Sequence, residues 1–67
     1  MSGMSDAEKK ALVQIGRALG VLEARRIQLN HDLVSARKKG YSEVEQSIMK
    51  TIEEIDAEVQ KLEASLD

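Results

Sequence analysis

His31, Asp32 and Ser35 are the three residue types of a nucleophile, base and orienting-acid triad, and they fall close together in the chain. Their spacing undoes the idea. On a helix, His31 and Ser35 share a side, whereas Asp32 is turned about 100° away from His31, so its carboxylate cannot orient the ring. The chain has no cysteine. That excludes a thiol nucleophile and disulfides, and a zinc site would need carboxylates and the lone His31. Gly16 and Gly20 follow no strand, so they do not form a phosphate-binding loop. A histidine on an apolar stripe is better read as an interface residue, and if it lies near a symmetry axis its protonation in mild acid would loosen the assembly. No catalytic residue, metal or cofactor is expected, and the protein reads as a non-enzyme.

The arginines and lysines are the other source of chemistry. Residues 1 to 39 carry eight cations against four anions, a net of +4, and residues 40 to 67 carry two cations against eight anions, a net of −6. A basic half and an acidic half attract each other, through flanking pairs such as Arg25 with Glu58. The sharper possibility is a phosphate-binding face. Lys10, Arg17 and Arg25 are read as lying away from the apolar residues of their helix, and with Arg26 they are the candidate anion or nucleic-acid contacts. Dimeric helical hairpins can bind RNA with this architecture, but the chain carries no motif of such proteins, so the comparison is one of architecture alone. The overall charge of −2 and the single aromatic ring, Tyr41, weigh against nucleic acid.

These side chains must be positioned by helices. The chain has 67 residues, no proline, and 33% charged and 42% hydrophobic residues, a composition typical of helical, coiled-coil-like proteins. Ser5 with Glu8 forms a capping box and Asp6 adds charge at the first turn. Arg37, Lys38 and Lys39 suit the negative end of a helix, and Gly40 suits the left-handed position just beyond it. Ser42 with Glu45 repeats the capping box. The sequence therefore predicts a single domain with a frayed leader over 1–5, a first helix over about 6–39, a turn at 40–42 and a second helix over about 43–66. So short a joint makes the helices antiparallel, with Tyr41 packing back on Ala36 or Leu33.

The apolar spacing gives the register. Ile48, Ile52, Ile55, Val59, Leu62 and Leu66 alternate steps of four and three, as do Leu12, Ile15, Leu19, Leu22, Arg26, Leu29, Leu33 and Ala36. Folding at Gly40 pairs Leu33 with Ile48, Leu29 with Ile52, Arg26 with Ile55, Leu22 with Val59, Leu19 with Leu62 and Ile15 with Leu66. The residue numbers in every pair add to 81. Arg26 stands where a leucine would be expected, and its guanidinium should reach the edge of the seam toward Glu23 or Asp56. The same register leaves Ala7, Ala11 and Leu12 with no opposite residue.

A second stripe, Val13, Gly16, Gly20, Ala24, Ile27, His31 and Val34, is expected about a quarter to a third of a turn round the first helix. Each mid-helix glycine costs about 1 kcal/mol relative to alanine. Gly16, Gly20 and Ala24 make a track along which another backbone can approach closely, and its expected visitor is the first helix of a second copy. A chain this small has little core of its own, and with disulfides excluded, association is the available means of completing it.

The fold class is thus all-α: a two-helix antiparallel hairpin that self-associates, most simply as a dimeric four-helix bundle. The expected function is that of a small homo-oligomeric adaptor, inhibitor or regulator acting through protein contacts. Its uncovered N-terminal portion and the acidic face of the second helix are candidate surfaces. RNA binding through the first helix, or capture of a small anionic ligand such as a nucleotide between subunits, are the alternatives. The absence of a long apolar run or a signal-peptide pattern leads to an expected cytoplasmic, membrane-free setting.

Overall fold

The computed structural model describes residues 3–66 and holds two helices, α1 (Asp6–Lys39) and α2 (Ser42–Ala64), packed against each other as a hairpin. The expected leader overlaps this range only at Gly3 to Ser5, which are not helical; Met1 and Ser2 lie outside the described residues. With 34 residues, α1 is about 51 Å long, and with 23, α2 is about 35 Å. The molecule is a rod of 59 × 15 × 13 Å whose length is set by α1.

Local chemistry accounts for the ends of α1. The Ser5 hydroxyl accepts the Glu8 amide at 3.2 Å, and the Glu8 carboxylate accepts the Ser5 amide at 3.4 Å. Two otherwise unpaired backbone donors are satisfied reciprocally. At the other end Gly40 takes φ +73°, the left-handed conformation that a side chain disfavours. Its N–H donates to the Arg37 carbonyl at 3.2 Å, and that of Tyr41 donates to Ala36 at 3.0 Å. This is a Schellman closure.

The second capping box does not form. Ser42 is already the first residue of α2, Tyr41 occupies the cap position, and no side chain caps the helix. Two competing bonds explain the difference. The Glu45 amide donates to the Tyr41 carbonyl at 2.9 Å, so the helical ladder starts one residue before Ser42 could cap it. The Glu45 carboxylate accepts the Nε of Arg37 at 2.7 Å across the turn. A charge-assisted bond to arginine outcompetes a bond to a neutral amide. The link is consequently two residues, Gly40 and Tyr41, and α2 ends at Ala64, where the Ser65 hydroxyl donates to the Lys61 carbonyl at 3.1 Å.

The seam follows the expected faces. Ala36 and Ile55 are buried, at 4% and 5% exposure, and Ile15, Leu19, Leu22, Leu29 and Leu33 of α1 and Ile48, Ile52, Val59 and Leu62 of α2 are half-buried. Among the described residues, both ion pairs that join the helices, Arg26 to Asp56 and Arg37 to Glu45, have residue numbers adding to 82. They lie one step from the expected layers, as edge residues should. The open end departs from expectation in one respect. Leu12 is exposed, as expected of a residue with none opposite, and borders a groove with Ile15, Ser65 and Leu66, but Leu66 itself is exposed rather than sealed in a final layer. Two helices can cover only one side of each other, so a half-buried leucine here contributes on the order of 1 kcal/mol, below the value for full burial.

Candidate functional site

The residues singled out for association stand on the side of α1 remote from α2. Val13, Gly16, Gly20, Ala24, Ile27, His31 and Val34 are all exposed, with Val13, Ile27 and Val34 at 53%, 55% and 52%. Stepping 100° per residue puts their mean direction about 150° from that of the seam. They are therefore farther round than the expected quarter to third of a turn, on a face α2 cannot reach. A Cβ built on Gly16 or Gly20 would meet nothing within 4 Å. Neither glycine is required by contacts within the chain.

The candidate cations separate into three environments. Arg26 is committed: its Nη1 donates to Asp56 at 2.7 Å and its Nη2 to Glu23 at 3.2 Å. The hydrogen bond to Asp56, then the Asp56 charge, raise the guanidinium pKa above its ordinary value, with Glu23 adding to this and desolvation opposing it. A cation with a raised pKa stabilises the fold throughout the range below its unfolded value, and that contribution is lost only as pH climbs through the folded value. Arg26 thus bridges two carboxylates that would otherwise repel, and both acceptors expected for it are engaged. Lys10 and Arg17 share a shallow surface with Lys9, Val13 and Gln14. Arg25 points elsewhere, about 60–80° round the axis from those two toward the α2 side. Among the described residues the ion pairs are Arg26–Glu23, Arg26–Asp56 and Arg37–Glu45, so the Arg25–Glu58 pair does not form.

The triad types are kept apart as their spacing requires. Asp32 accepts a hydrogen bond from Gln28 at 3.1 Å, and His31 lies exposed on the far face. Among the described residues no three His, Cys, Asp or Glu side chains gather where they could hold a metal ion. No helix among them is long and apolar enough to cross a membrane.

Two surface features escaped the periodic pattern. Val21 is 68% exposed and belongs to neither apolar series, lying between the far stripe and the seam on the side of Lys10 and Arg17. At the turn, Tyr41 is 56% exposed, with the Lys39 ammonium 6.0 Å from its ring centroid. The ring borders a shallow groove with Ala36, one of its two expected neighbours, and with Val44 and Ile48. Only the presence of a lone aromatic beside a lysine signalled this cation–π arrangement.

The arrangement defines an all-helical hairpin with one face used and one left open. Compared with known protein families, with curated proteins and with solved structures, the chain matches none.

Proposed function

We propose that this is a non-enzymatic, homo-oligomeric helical binding protein, most simply a dimer of hairpins with four helices in all, that works as an adaptor, inhibitor or regulator through protein contacts. One observation carries the reading. Among the described residues the hairpin buries only Ala36 and Ile55, while Val13, Ile27 and Val34 stand open on one face of α1. An exposed apolar stripe on a chain this small marks a surface that is covered by another macromolecule. Sedimentation equilibrium and native mass spectrometry across a concentration series test it. A dimer that dissociates on dilution supports the reading, and a monomer at every concentration overturns it.

Binding of nucleic acid is the second reading, favoured by the gathering of Lys9, Lys10 and Arg17 on one exposed surface of α1. Retention on RNA that falls steeply with added salt would support it, and no retention at low salt would exclude it.

A further inference from the structure

We infer that two copies pair through the far face of α1 in an antiparallel arrangement about a two-fold axis passing between Glu23 and Ala24, each copy's Ile27 and His31 packing against the bare backbone of the partner's Gly20 and Gly16. This deepens, and rests on, the self-association proposed above.

The stripe is its own complement in one register. Running α1 against a reversed copy so that paired residue numbers add to 47 sets Val13 opposite the partner's Val34, Gly16 opposite the partner's His31 and Gly20 opposite the partner's Ile27. In each of the last two pairs a large side chain meets a position with no side chain and open space above it. A two-fold interface demands this reciprocity, because any contact made by one copy is repeated by the other. In a parallel pair each residue would meet itself, leaving gaps at the glycines and crowding at Ile27 and His31. Antiparallel packing also places opposite helix ends together, which the helix dipoles favour.

The centre of the interface is cleared by an interaction within the hairpin. Glu23 would otherwise bring two carboxylates together at the axis, but its Oε1 is held by Arg26 at 3.2 Å, on the seam side. That leaves Ala24, small enough for the backbones to approach. The face is nearly opposite the seam, so the four helices form a flat layer in the order α2, α1, α1, α2. A square bundle would need the two faces of α1 about 90° apart.

The size of the strip makes this a weak, readily reversible dimer. From Val13 to Val34 the strip is about 32 Å long and about 10 Å wide, roughly 300 Å² in projection. A specific interface takes about a tenth of a small protein's surface, roughly 540 Å² of the 5403 Å² here. At little more than half that area the contact falls below this class, in the range of weak, transient association, which makes its dissociation measurable. Lys9 meets the partner's Lys38 at each end of the strip in this register, so added salt should strengthen the dimer by screening them. Association driven by the basic α1 and the acidic α2 would weaken instead.

The 67-residue chain has no cysteine, so single introduced cysteines read the register in the intact chain. Under mild oxidation Ala24→Cys should cross-link to its own copy. Val13→Cys should not, because its copy lies about 32 Å away, while a mixture of Val13→Cys and Val34→Cys chains should give the mixed dimer. Self-cross-linking of Val13→Cys, or none at Ala24→Cys while the protein still dimerises, overturns this register and leaves self-association standing. A protein monomeric at all concentrations overturns both. As a check against misfolding, Gly20→Ile should weaken the dimer at least about tenfold by overpacking. Adding Ile27→Gly exchanges the large and bare positions and should restore it, whereas an additive loss in the double variant would overturn the pairing of these two positions.

Discussion

α1 and α2 come from one short chain and share one seam, yet their outward faces differ. Beyond the seam α2 presents Lys50, Glu53, Glu54, Gln60 and Lys61, a solvated surface of mixed charge, whereas α1 presents Val13, Ile27 and Val34 with two glycines between them. A helix that packs on one side needs one apolar stripe, and α2 has one. The second stripe on α1 cannot be explained by the hairpin, because α2 lies on the other side of the axis. Composition alone would hide this difference, since both helices are rich in apolar residues. It appears only when each residue is assigned to a face.

Changes on the two sides of α1 and at its ends should separate accordingly. Replacing Ile55 by alanine opens a cavity in the buried part of the seam and should cost about 2–3 kcal/mol, seen as a lower midpoint in urea. Gly16→Ala with Gly20→Ala should do the reverse in dilute solution, where no neighbour opposes a Cβ, stabilising the hairpin by about 2 kcal/mol in all. A dimer tightened to the same extent would show that the glycines do not mark a close contact. Gly40→Ala forces a side chain into the left-handed conformation and should lower stability by about 1 kcal/mol, again read by denaturation. The smallest effect should come from Ile27→Ala, about 0.5 kcal/mol or less on the dilute hairpin despite the loss of a large apolar side chain. The contrast with Ile55→Ala is the sharpest test of the two faces, and a large loss at Ile27 in dilute protein would break it.

Most of the hairpin is legible in the sequence because several signals agree on it. The apolar steps give one register, Gly40 ends α1, and Ser5 with Glu8 begins it. What is not legible depends on competition between partners that spacing cannot rank. The Ser42–Glu45 motif is present, but Glu45 is claimed by Arg37 across the turn. Arg26 was readable as a seam residue reaching carboxylates, although not that it would hold Glu23 and Asp56 together. The far stripe is readable as a set of residues, but it lies farther round α1 than a quarter to a third of a turn because the seam centres on the Ile15–Ala36 side, and Val21 belongs to no period at all. Local rules place backbone elements; side-chain pairing across the turn depends on three-dimensional distances.

The two-residue turn at Gly40 and Tyr41 also sets the order in which the molecule comes together. Arg37 and Glu45 are 8 residues apart in sequence and Arg26 and Asp56 are 30 apart, so the first contact closes a much shorter loop and loses less chain entropy. The helices should zip outward from the turn, and the same gradient governs opening. Backbone amides of α1 near Ala36 should exchange most slowly, and those near Leu12 should exchange early, the end beyond α2 opening while the turn remains closed.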